Sequence, residues 1–326
     1  MVRSFGCLLV LFTFLCALAF PGSSAAWAGA VFETEHGSGP DKWASVWLLT
    51  RFVDGASVEI LDEPVSDIDR VPGRIPFDVS GSPLGRTGSR TTYETILSAY
   101  AIDAPAATIL GTIVREIEID AWRQGVSVES QQVESAFRRM QIVFGRGDVT
   151  RACYLEFFDA VATFVAMPSP KAGDHRALIP DERCMSDTAD EPRSYAPNVP
   201  LIDLGDAAMH ASLGADVTFL DTREAWEFEE GHIPGAINMP LRDISAQTVA
   251  ELLDDDLVIA YCVKDFRGYE AAKRLRGLGI EAVIMKPYGM RGWIAAGLPV
   301  AGPRGLPVDQ AEAAMRELAR STIESR

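Results

Sequence analysis

The sequence predicts two domains, a mainly helical α+β domain followed by an α/β domain whose parallel sheet is flanked by helices. Three observations lead to this fold class. Apolar residues recur at helical spacing before residue 167, and short apolar runs alternate with helical segments after residue 199. Between them, residues 167–198 are rich in Pro, Asp and Ser and lack a sustained apolar period, which is typical of an interdomain linker.

The predicted boundaries divide the 326 residues into five segments. They are a signal peptide (1–28), a first domain (31–166), the linker (167–198), a second domain (199–304) and a C-terminal helical tail (305–326). A chain of this length is sufficient to bury two separate cores.

The first 28 residues have the three-part layout of a secretory signal peptide. Arg3 precedes an uncharged apolar run from Cys7 to Phe20, and an A-x-A cleavage site follows at residues 26–28. The alternative is an uncleaved membrane anchor, but this run is shorter than the roughly 20 residues that span a bilayer. We therefore expect a periplasmic or secreted protein that has no membrane segment after cleavage.

The charge of the chain disfavours one class of partner. The formal net charge of −16 would become −17 after removal of Arg3, because the signal segment contains no acidic residue. Such a field repels phosphate backbones and anionic membrane surfaces, so we expect no nucleic-acid binding.

Three cysteines, Cys153, Cys184 and Cys262, remain after the signal peptide is removed. In an oxidising compartment the simplest arrangement pairs Cys153 with Cys184 and leaves Cys262 free. The alternative is that Cys153 is an apolar helix residue and Cys184 an unpaired linker thiol. Cys184 and His175 lie in the linker with nothing nearby to complete a coordination set, so we expect neither a metal nor a cofactor.

Helices dominate the predicted first domain. Ala44, Trp47, Leu48 and Phe52 recur at helical spacing, and two extended segments follow at 58–61 and 74–79. Further helices are predicted at 91–100, 103–119, 129–144 and 148–165.

The second domain has the pattern of a parallel α/β sheet. Strands are predicted at 217–220, 257–261 and 281–286, separated by helices such as 268–279. The tail at 305–326 is expected to form an exposed helix without a chemical role.

A cysteine follows the predicted strand at 257–261. Chemistry in open parallel sheets lies beyond the carboxyl ends of the strands, and Cys262 is at such an end. Backbone N–H groups of Val263 to Arg267 can point at the sulfur, and Lys264 and Arg267 add positive charge that favours a thiolate or persulfide. The alternative is a buried structural cysteine.

The second domain resembles the rhodanese family from about Val199 to Gly302. The resemblance implies a sulfurtransferase in which Cys262 takes a sulfane sulfur from a donor such as thiosulfate, holds it as a persulfide and passes it to a thiol. The matching positions are Asp221, Arg223, Glu227, Phe228, residues 231–236, Asn238, Pro240, Cys262, Arg267, Gly292, Trp293, Gly297 and Pro299.

The resemblance also implies roles for neighbours of Cys262. Arg267 is expected to orient the anionic donor over the sulfur. The expected substrate-binding residues are Val263, Lys264, Asp265, Phe266, Gly268, Asp221 and Arg223. For Asp221 and Arg223 the alternative is a charged pair that orders the loops around the active face.

The length of the cysteine loop and its departures from the family pattern refine this expectation. Arg267 stands five positions after Cys262, which is the short loop typical of sulfurtransferases rather than of the related phosphatases and arsenate reductases. The family frequently has Gly at position 265 and Ser or Thr at position 268. We expect the carboxylate of Asp265 to raise the cost of binding an anionic donor, which would make thiosulfate a poor substrate.

The first domain resembles the chromate-resistance protein domain found at the C-terminal end of chromate-responsive regulators, over about Val31 to Val165. The matching residues are Ala44, Ser45, Trp47, Leu48, Arg51, Phe52, Asp54, Phe77 and Asp78. Where that family has a segment with histidine, acidic and thiol groups, this chain has Arg86 to Tyr93. Two arginines and several hydroxyls there suit an oxyanion better than a metal cation, and the alternative is a solvated loop.

Two functions of different class follow. The first is an exported rhodanese-type sulfurtransferase linked to chromate or oxyanion stress, with a small-molecule sulfur donor, a thiol acceptor and a periplasmic protein partner bound through the first domain. The second is a non-catalytic module that senses sulfur, redox state or an oxyanion.

Overall fold

The computed structural model describes residues 29–61, 73–79, 81–120, 126–167, 177–186, 199–213, 217–250 and 257–324. The predicted signal peptide and cleavage site lie outside these ranges. Within them, no helix combines the length and the apolar character needed to cross a bilayer.

The N-terminal domain packs five helices against a three-stranded parallel sheet with strand order β2-β1-β3. The strands are β1 (Val31–Glu35), β2 (Ser57–Leu61) and β3 (Arg74–Pro76), and the helices are α1 (Pro40–Phe52), α2 (Thr92–Ala99), α3 (Pro105–Glu118), α4 (Val128–Phe144) and α5 (Arg151–Val165). The predicted helices are confirmed, whereas β1 was not predicted. A reciprocal capping box between Thr91 and Glu94 starts α2, and a proline in the first turn starts α3.

The core of this domain is aromatic. Trp43 of α1 stacks on Tyr154 of α5 with ring centroids 4.1 Å apart, and Phe137 of α4 packs edge-on against Phe157. These contacts fix α4 and α5 against α1, so the loop after α4 has a defined position.

Part of the predicted linker packs against the first domain. Residues 182–186 form a short 3-10 helix, and Cys184 within it is disulfide-bonded to Cys153 of α5. Leu178 and Cys184 are buried in the core of the N-terminal domain. The first of the two cysteine arrangements is therefore the one present, and Cys262 is free.

The C-terminal domain is built on a five-stranded parallel sheet with strand order β4-β8-β7-β5-β6. The strands are β4 (Leu201–Asp203), β5 (Val217–Asp221), β6 (Ile237–Asn238), β7 (Leu257–Tyr261) and β8 (Ala282–Lys286). The helices are α6 (Leu204–Leu213), α7 (Ala225–Glu230), α8 (Phe266–Gly277), α9 (Gly289–Ala295) and α10 (Val308–Glu324). Because β7 lies in the middle of the sheet, its carboxyl end is surrounded by loops from both sides.

The C-terminal helix differs from the prediction. Helix α10 is not simply exposed: Ala311 is fully buried, and Met315 belongs to the core of the C-terminal domain. The apolar side chains of one face of α10 supply the reason, since they pack next to α6.

Candidate active site

Cys262 directly follows β7, at the carboxyl end of the central strand, as predicted. Its side chain is only 3% exposed. The N-terminus of α9 fixes the loop through two hydrogen bonds. The N–H of Met290 donates to the Cys262 carbonyl at 2.9 Å, and the N–H of Arg291 donates to the Val263 carbonyl at 3.0 Å. The cysteine therefore lies in a loop that is fixed on its own domain.

Gly289 makes this close approach possible. Its φ of +58° lies in the left-handed region that favours glycine. A Cβ at this position would lie 2.2 Å from the carbonyl oxygen of Cys262 and 2.3 Å from that of Lys264. Any side chain here would displace the cysteine loop.

Gly268 brings the backbone of α8 close to the sulfur. A Cβ at this position would lie 3.1 Å from Cα of Tyr261 and 3.2 Å from the carbonyl oxygen of Ala260, so a side chain here would be tight against the backbone of β7. The Gly268 N–H donates to the Cys262 sulfur and lowers the pKa of the thiol. The donor thus lies one position beyond the Val263 to Arg267 N–H groups that were expected to point at the sulfur.

Burial decides the protonation of the thiol. Burial raises the pKa of Cys262 above its ordinary value, and the Arg267 guanidinium and the Gly268 N–H only partly offset this effect. Asp265 and Glu118 raise the pKa further. The expectation that the loop favours the thiolate therefore needs correction, because loss of solvent outweighs the nearby positive charge.

The predicted role of Arg267 also needs correction. Its two terminal nitrogens donate to the carboxylate of Glu227 at 2.6 and 2.9 Å, and the two side chains are 2% and 0% exposed. A guanidinium held in this bidentate pair is not free to bind an anionic sulfur donor. Arg267 is a positioning residue that ties the start of α8 to α7 and places one positive charge near the sulfur.

Lys264 and Asp265 contact the N-terminal domain. Lys264 forms an ion pair with Glu134 of α4. Both oxygens of Asp265 are paired, one with Arg138 of α4 at 2.5 Å and the other with Arg146 at 2.9 Å. The carboxylate of Asp265 is thus matched by two guanidinium groups, which weakens the repulsion expected toward an anionic donor, although Asp265 still raises the pKa of the Cys262 thiol.

The remaining loop residues are apolar and buried. Phe266 belongs to the core of the N-terminal domain, where it packs edge-on against Phe137 and lies under the guanidinium of Arg138 at 4.1 Å. Val263 instead belongs to the core of the C-terminal domain. Their predicted role as substrate contacts is replaced by packing on two different sides of the loop.

Asp221 and Arg223 form the structural pair that was the alternative prediction. Both side chains are fully buried, and Arg223 donates to Asp221 through Nε and Nη2, the shortest contact being 2.6 Å. Arg223 also donates to the carbonyl of Gly231 at 2.7 Å. The pair orders the turn between β5 and the Gly-His-Ile-Pro-Gly motif and is not positioned to bind substrate.

The segment Arg86 to Tyr93 is partly exposed and partly packed: Thr87, Ser89 and Arg90 are exposed, whereas Thr91 to Tyr93 are buried. The Arg86 side chain is 7% exposed, and its Nη2 donates to Asp41 at 3.0 Å and to Glu118 at 3.1 Å. Trp226 of α7 donates to the carbonyl of Gly88 at 2.8 Å. The solvated-loop interpretation therefore applies to the exposed residues of the segment, and carboxylates already partner Arg86, one of the two arginines that were expected to suit an oxyanion.

Several residues around the loop were not predicted from the sequence. Glu118, Glu134, Arg138 and Arg146 come from the N-terminal domain, and no local pattern connects them with a cysteine more than a hundred residues away. In the ranges that the structure describes, no group of three or more His, Cys, Asp or Glu side chains is arranged to hold a metal ion.

Two family models match separate parts of the chain. The model of the C-terminal domain of ChrB matches residues 33–165, and the model of the rhodanese-like domain matches residues 206–296. The matched ranges fall within the two structural domains, and the cysteine loop belongs to the second of them.

Several known proteins are similar to parts of the chain. A sulfurtransferase of Allochromatium vinosum is 32% identical over 90 residues, which cover 28% of this chain and 83% of the relative. The HTH-type transcriptional regulator Rv0324 of Mycobacterium tuberculosis is 29% identical over 197 residues, which cover 60% of this chain and 81% of the relative. A rhodanese-like domain from Anabaena, solved by NMR, is 28% identical and covers 32% of this chain and 80% of that domain, with a TM-score of 0.28. The chain belongs to the rhodanese family and joins a rhodanese-like domain to a ChrB C-terminal domain.

Proposed function

We propose that this protein is an exported sulfurtransferase that carries a sulfane sulfur as a persulfide on Cys262. The observation that carries the proposal is the position of this free cysteine, at the carboxyl end of the central strand, with the N–H of Gly268 donating to its sulfur. A thiolate or persulfide at this place gains from that N–H and from the charge of Arg267.

The proposed reaction has two displacement steps. The Cys262 thiolate attacks the outer sulfur of thiosulfate, a new S–S bond forms, the S–S bond of the donor breaks, and sulfite leaves with the bonding electrons. An acceptor thiolate then attacks the terminal sulfur of the persulfide, and the Cys262 thiolate is released. Because burial raises the pKa of Cys262, loss of its proton is a demanding part of the first step.

Two further features support the cellular part of the proposal. The disulfide between Cys153 and Cys184 fits an oxidising compartment, which agrees with export through the signal segment at residues 1–28. The ChrB C-terminal domain supports a link to chromate or oxyanion stress. A periplasmic protein partner bound through this domain also belongs to the proposal.

A second candidate is a module that holds sulfur without efficient turnover. The observation in its favour is the burial of Cys262, which is 3% exposed and has a raised pKa. In this case the persulfide would form slowly and serve as a stored or sensed state.

The test is mass spectrometry of the mature protein after exposure to thiosulfate, followed by addition of cyanide. We expect a one-sulfur adduct that maps to Cys262, is released by cyanide as thiocyanate, and is absent from Cys262→Ser. Adduct formation without repeated turnover would favour the second candidate. An adduct on another residue, or wild-type turnover in Cys262→Ser, would contradict both.

A further inference from the structure

The N-terminal domain contacts three consecutive residues of the cysteine loop. Lys264 pairs with Glu134, Asp265 pairs with Arg138 and Arg146, and Phe266 is buried in the N-terminal core. The Asp265 side chain is 3% exposed, so these pairs are shielded from solvent on the side of the carboxylate. The loop that carries Cys262 is therefore also fixed by the N-terminal domain.

The contacts continue along helix α8. Glu270 accepts hydrogen bonds from the N–H and the hydroxyl of Ser38 at 2.6 and 2.7 Å, and Lys273 donates to the carbonyl of His36 at 2.6 Å. Arg274 forms a largely buried ion pair with Glu35. Successive turns of the helix are thus bound to the end of β1 and to the segment that follows it.

A contact outside α8 is also present. Trp226 of α7 donates to the carbonyl of Gly88, which lies in the segment before α2. The N-terminal domain therefore contacts the C-terminal domain at both α7 and α8, and these two helices are joined next to Cys262 by the pair of Glu227 and Arg267. An N-terminal domain attached at both places leaves little room near Cys262 for a large partner.

A small charged cavity lies between the two domains beside the loop. It has a volume of about 40 Å³, with Phe266 and Arg267 on the loop side and Arg86 and Glu118 on the N-terminal side. Arg267 and Glu118 also act electrostatically on the Cys262 thiol, which places the cavity near the sulfur. Since one buried water needs roughly 10–15 Å³, the cavity suits a few waters or a small inorganic ion.

We propose that the N-terminal domain is a cover that limits Cys262 to small hydrophilic donors and acceptors and excludes protein thiols. The ion pairs of Lys264 and Asp265 with α4 and Arg146 hold this cover closed. This inference rests on the proposed sulfur transfer and specifies the substrate class of the same site.

The first test compares two acceptors of different size. The wild-type mature protein is loaded with sulfur from thiosulfate or inorganic polysulfide, and release is followed with cyanide or with reduced thioredoxin. We expect release to cyanide and at least roughly tenfold slower release to thioredoxin, because only the rare open state admits a protein. Equal use of the two acceptors at matched concentration would overturn the proposal.

The second test weakens the cover from the N-terminal side. The double variant Arg138→Gln/Arg146→Gln removes both partners of Asp265 and leaves the C-terminal domain unchanged. We expect the ratio of thioredoxin use to cyanide use to rise about tenfold, because loss of a buried charge pair favours the open state. The control is Arg51→Gln, which removes an ion pair with Asp159 within the N-terminal domain and should leave the ratio unchanged. An unchanged ratio in a folded double variant would also overturn the proposal.

A third measurement requires neither catalysis nor a variant. Native wild-type protein is treated with iodoacetamide or with a maleimide that carries a long polyethylene glycol chain, and modification of Cys262 is mapped by peptide mass. We expect the small reagent to react and the large one to be excluded until denaturant is added. Equal modification by both reagents contradicts the cover. Failure of cyanide release despite the expected size selection would instead contradict the proposed sulfur transfer alone.

Discussion

The two ends of the cysteine loop are held by different domains. At the far end, Arg267 and Gly268 are fixed within the rhodanese-like domain, by Glu227 and by the backbone of Tyr261 and Ala260. At the near end, Lys264, Asp265 and Phe266 are fixed by the ChrB C-terminal domain. The shape of the loop thus depends on its own domain, and under the proposed cover the access to Cys262 depends on the other domain.

This difference separates two kinds of mutational effect. A change at the far end should damage the fold of the loop itself. A change at the near end should loosen the contact between domains and alter which molecules reach Cys262. The chain has two domains, so unfolding is best followed with probes for each domain rather than as one transition.

The largest effect is expected for Arg267→Ala at the far end. The variant leaves the fully buried carboxylate of Glu227 without its partner, and such a loss costs about 3–5 kcal/mol. Urea unfolding of the C-terminal domain measures this cost. The control Arg304→Ala disrupts a half-exposed ion pair with Glu230 and should cost about 1 kcal/mol or less. Equal losses in the two variants would show that Arg267 has no special structural role.

The next effect is expected at the near end, for Asp265→Asn. Two guanidinium groups lose the charge that they share, and removal of one partner from a buried charge pair costs about 2–4 kcal/mol. We expect stability to fall and modification of Cys262 by large reagents to rise. Asp243→Asn, at a half-exposed carboxylate that pairs loosely with Arg242, is the control. If Asp265→Asn were as stable as the wild type, the ion pairs of Asp265 would not stabilise the interface between the domains.

Two glycines with left-handed backbone test the packing under the loop. Gly289→Ala and Gly297→Ala share the conformational cost, but only the Cβ at position 289 meets backbone atoms, at 2.2 Å. We expect Gly289→Ala to be less stable than Gly297→Ala by about 2 kcal/mol, the scale of overpacking a dense site. Thermal unfolding of the pair gives this difference directly, and equal melting temperatures would exclude a tight fit at position 289.

The pH dependence of stability tests the interface near Ser38. Burial, assisted by Lys273, lowers the pKa of His36 to about 4, so the unfolded chain binds a proton more readily than the folded one. The contribution of the neutral His36 to the free energy of unfolding is intact above the ordinary histidine pKa and is lost as pH falls toward 4. We expect a loss of about 2 kcal/mol between about pH 7 and about pH 5. His36→Gln should reduce this slope, and a variant with the wild-type slope would assign it to other groups.

The smallest effect is expected for Trp226→Phe, which removes the hydrogen bond to the Gly88 carbonyl. A single hydrogen bond contributes about 1 kcal/mol. Trp47→Phe is a matched control, because Trp47 donates to Asp159 within one domain. We expect both variants to lose similar stability and only Trp226→Phe to increase access to Cys262. If Cys262 were equally accessible in the two variants, the contacts at α8 alone would hold the proposed cover closed.

The strands and the cysteine were predictable because their signals are local. Residues 257–261 form an apolar run that ends at Cys262, and β5 and β8 have similar runs. Strands β4 and β6 were missed because two or three residues are too few to show a pattern. The family motifs also identified Glu227, but not that it pairs with Arg267.

The surroundings of the loop were not predictable from the sequence. Asp265 departs from the family pattern, and in sequence it is simply an acid near an anionic substrate. Only the tertiary structure places Arg138 and Arg146 beside it, from more than a hundred residues away. Phe266 offered a local signal, since an aromatic residue within a charged loop favours contact with an apolar surface, and in the structure it is buried in the core of the N-terminal domain.

The most direct test of the different roles of the two ends is amide hydrogen exchange in wild type and in Arg138→Gln/Arg146→Gln. We expect the amides of residues 264–266 to exchange roughly tenfold faster in the variant, because opening of the interface exposes them, while the amide of Gly268 remains protected. Equal exchange at residues 264–266 in both proteins, or a parallel loss of protection at Gly268, would contradict separate control of access and shape.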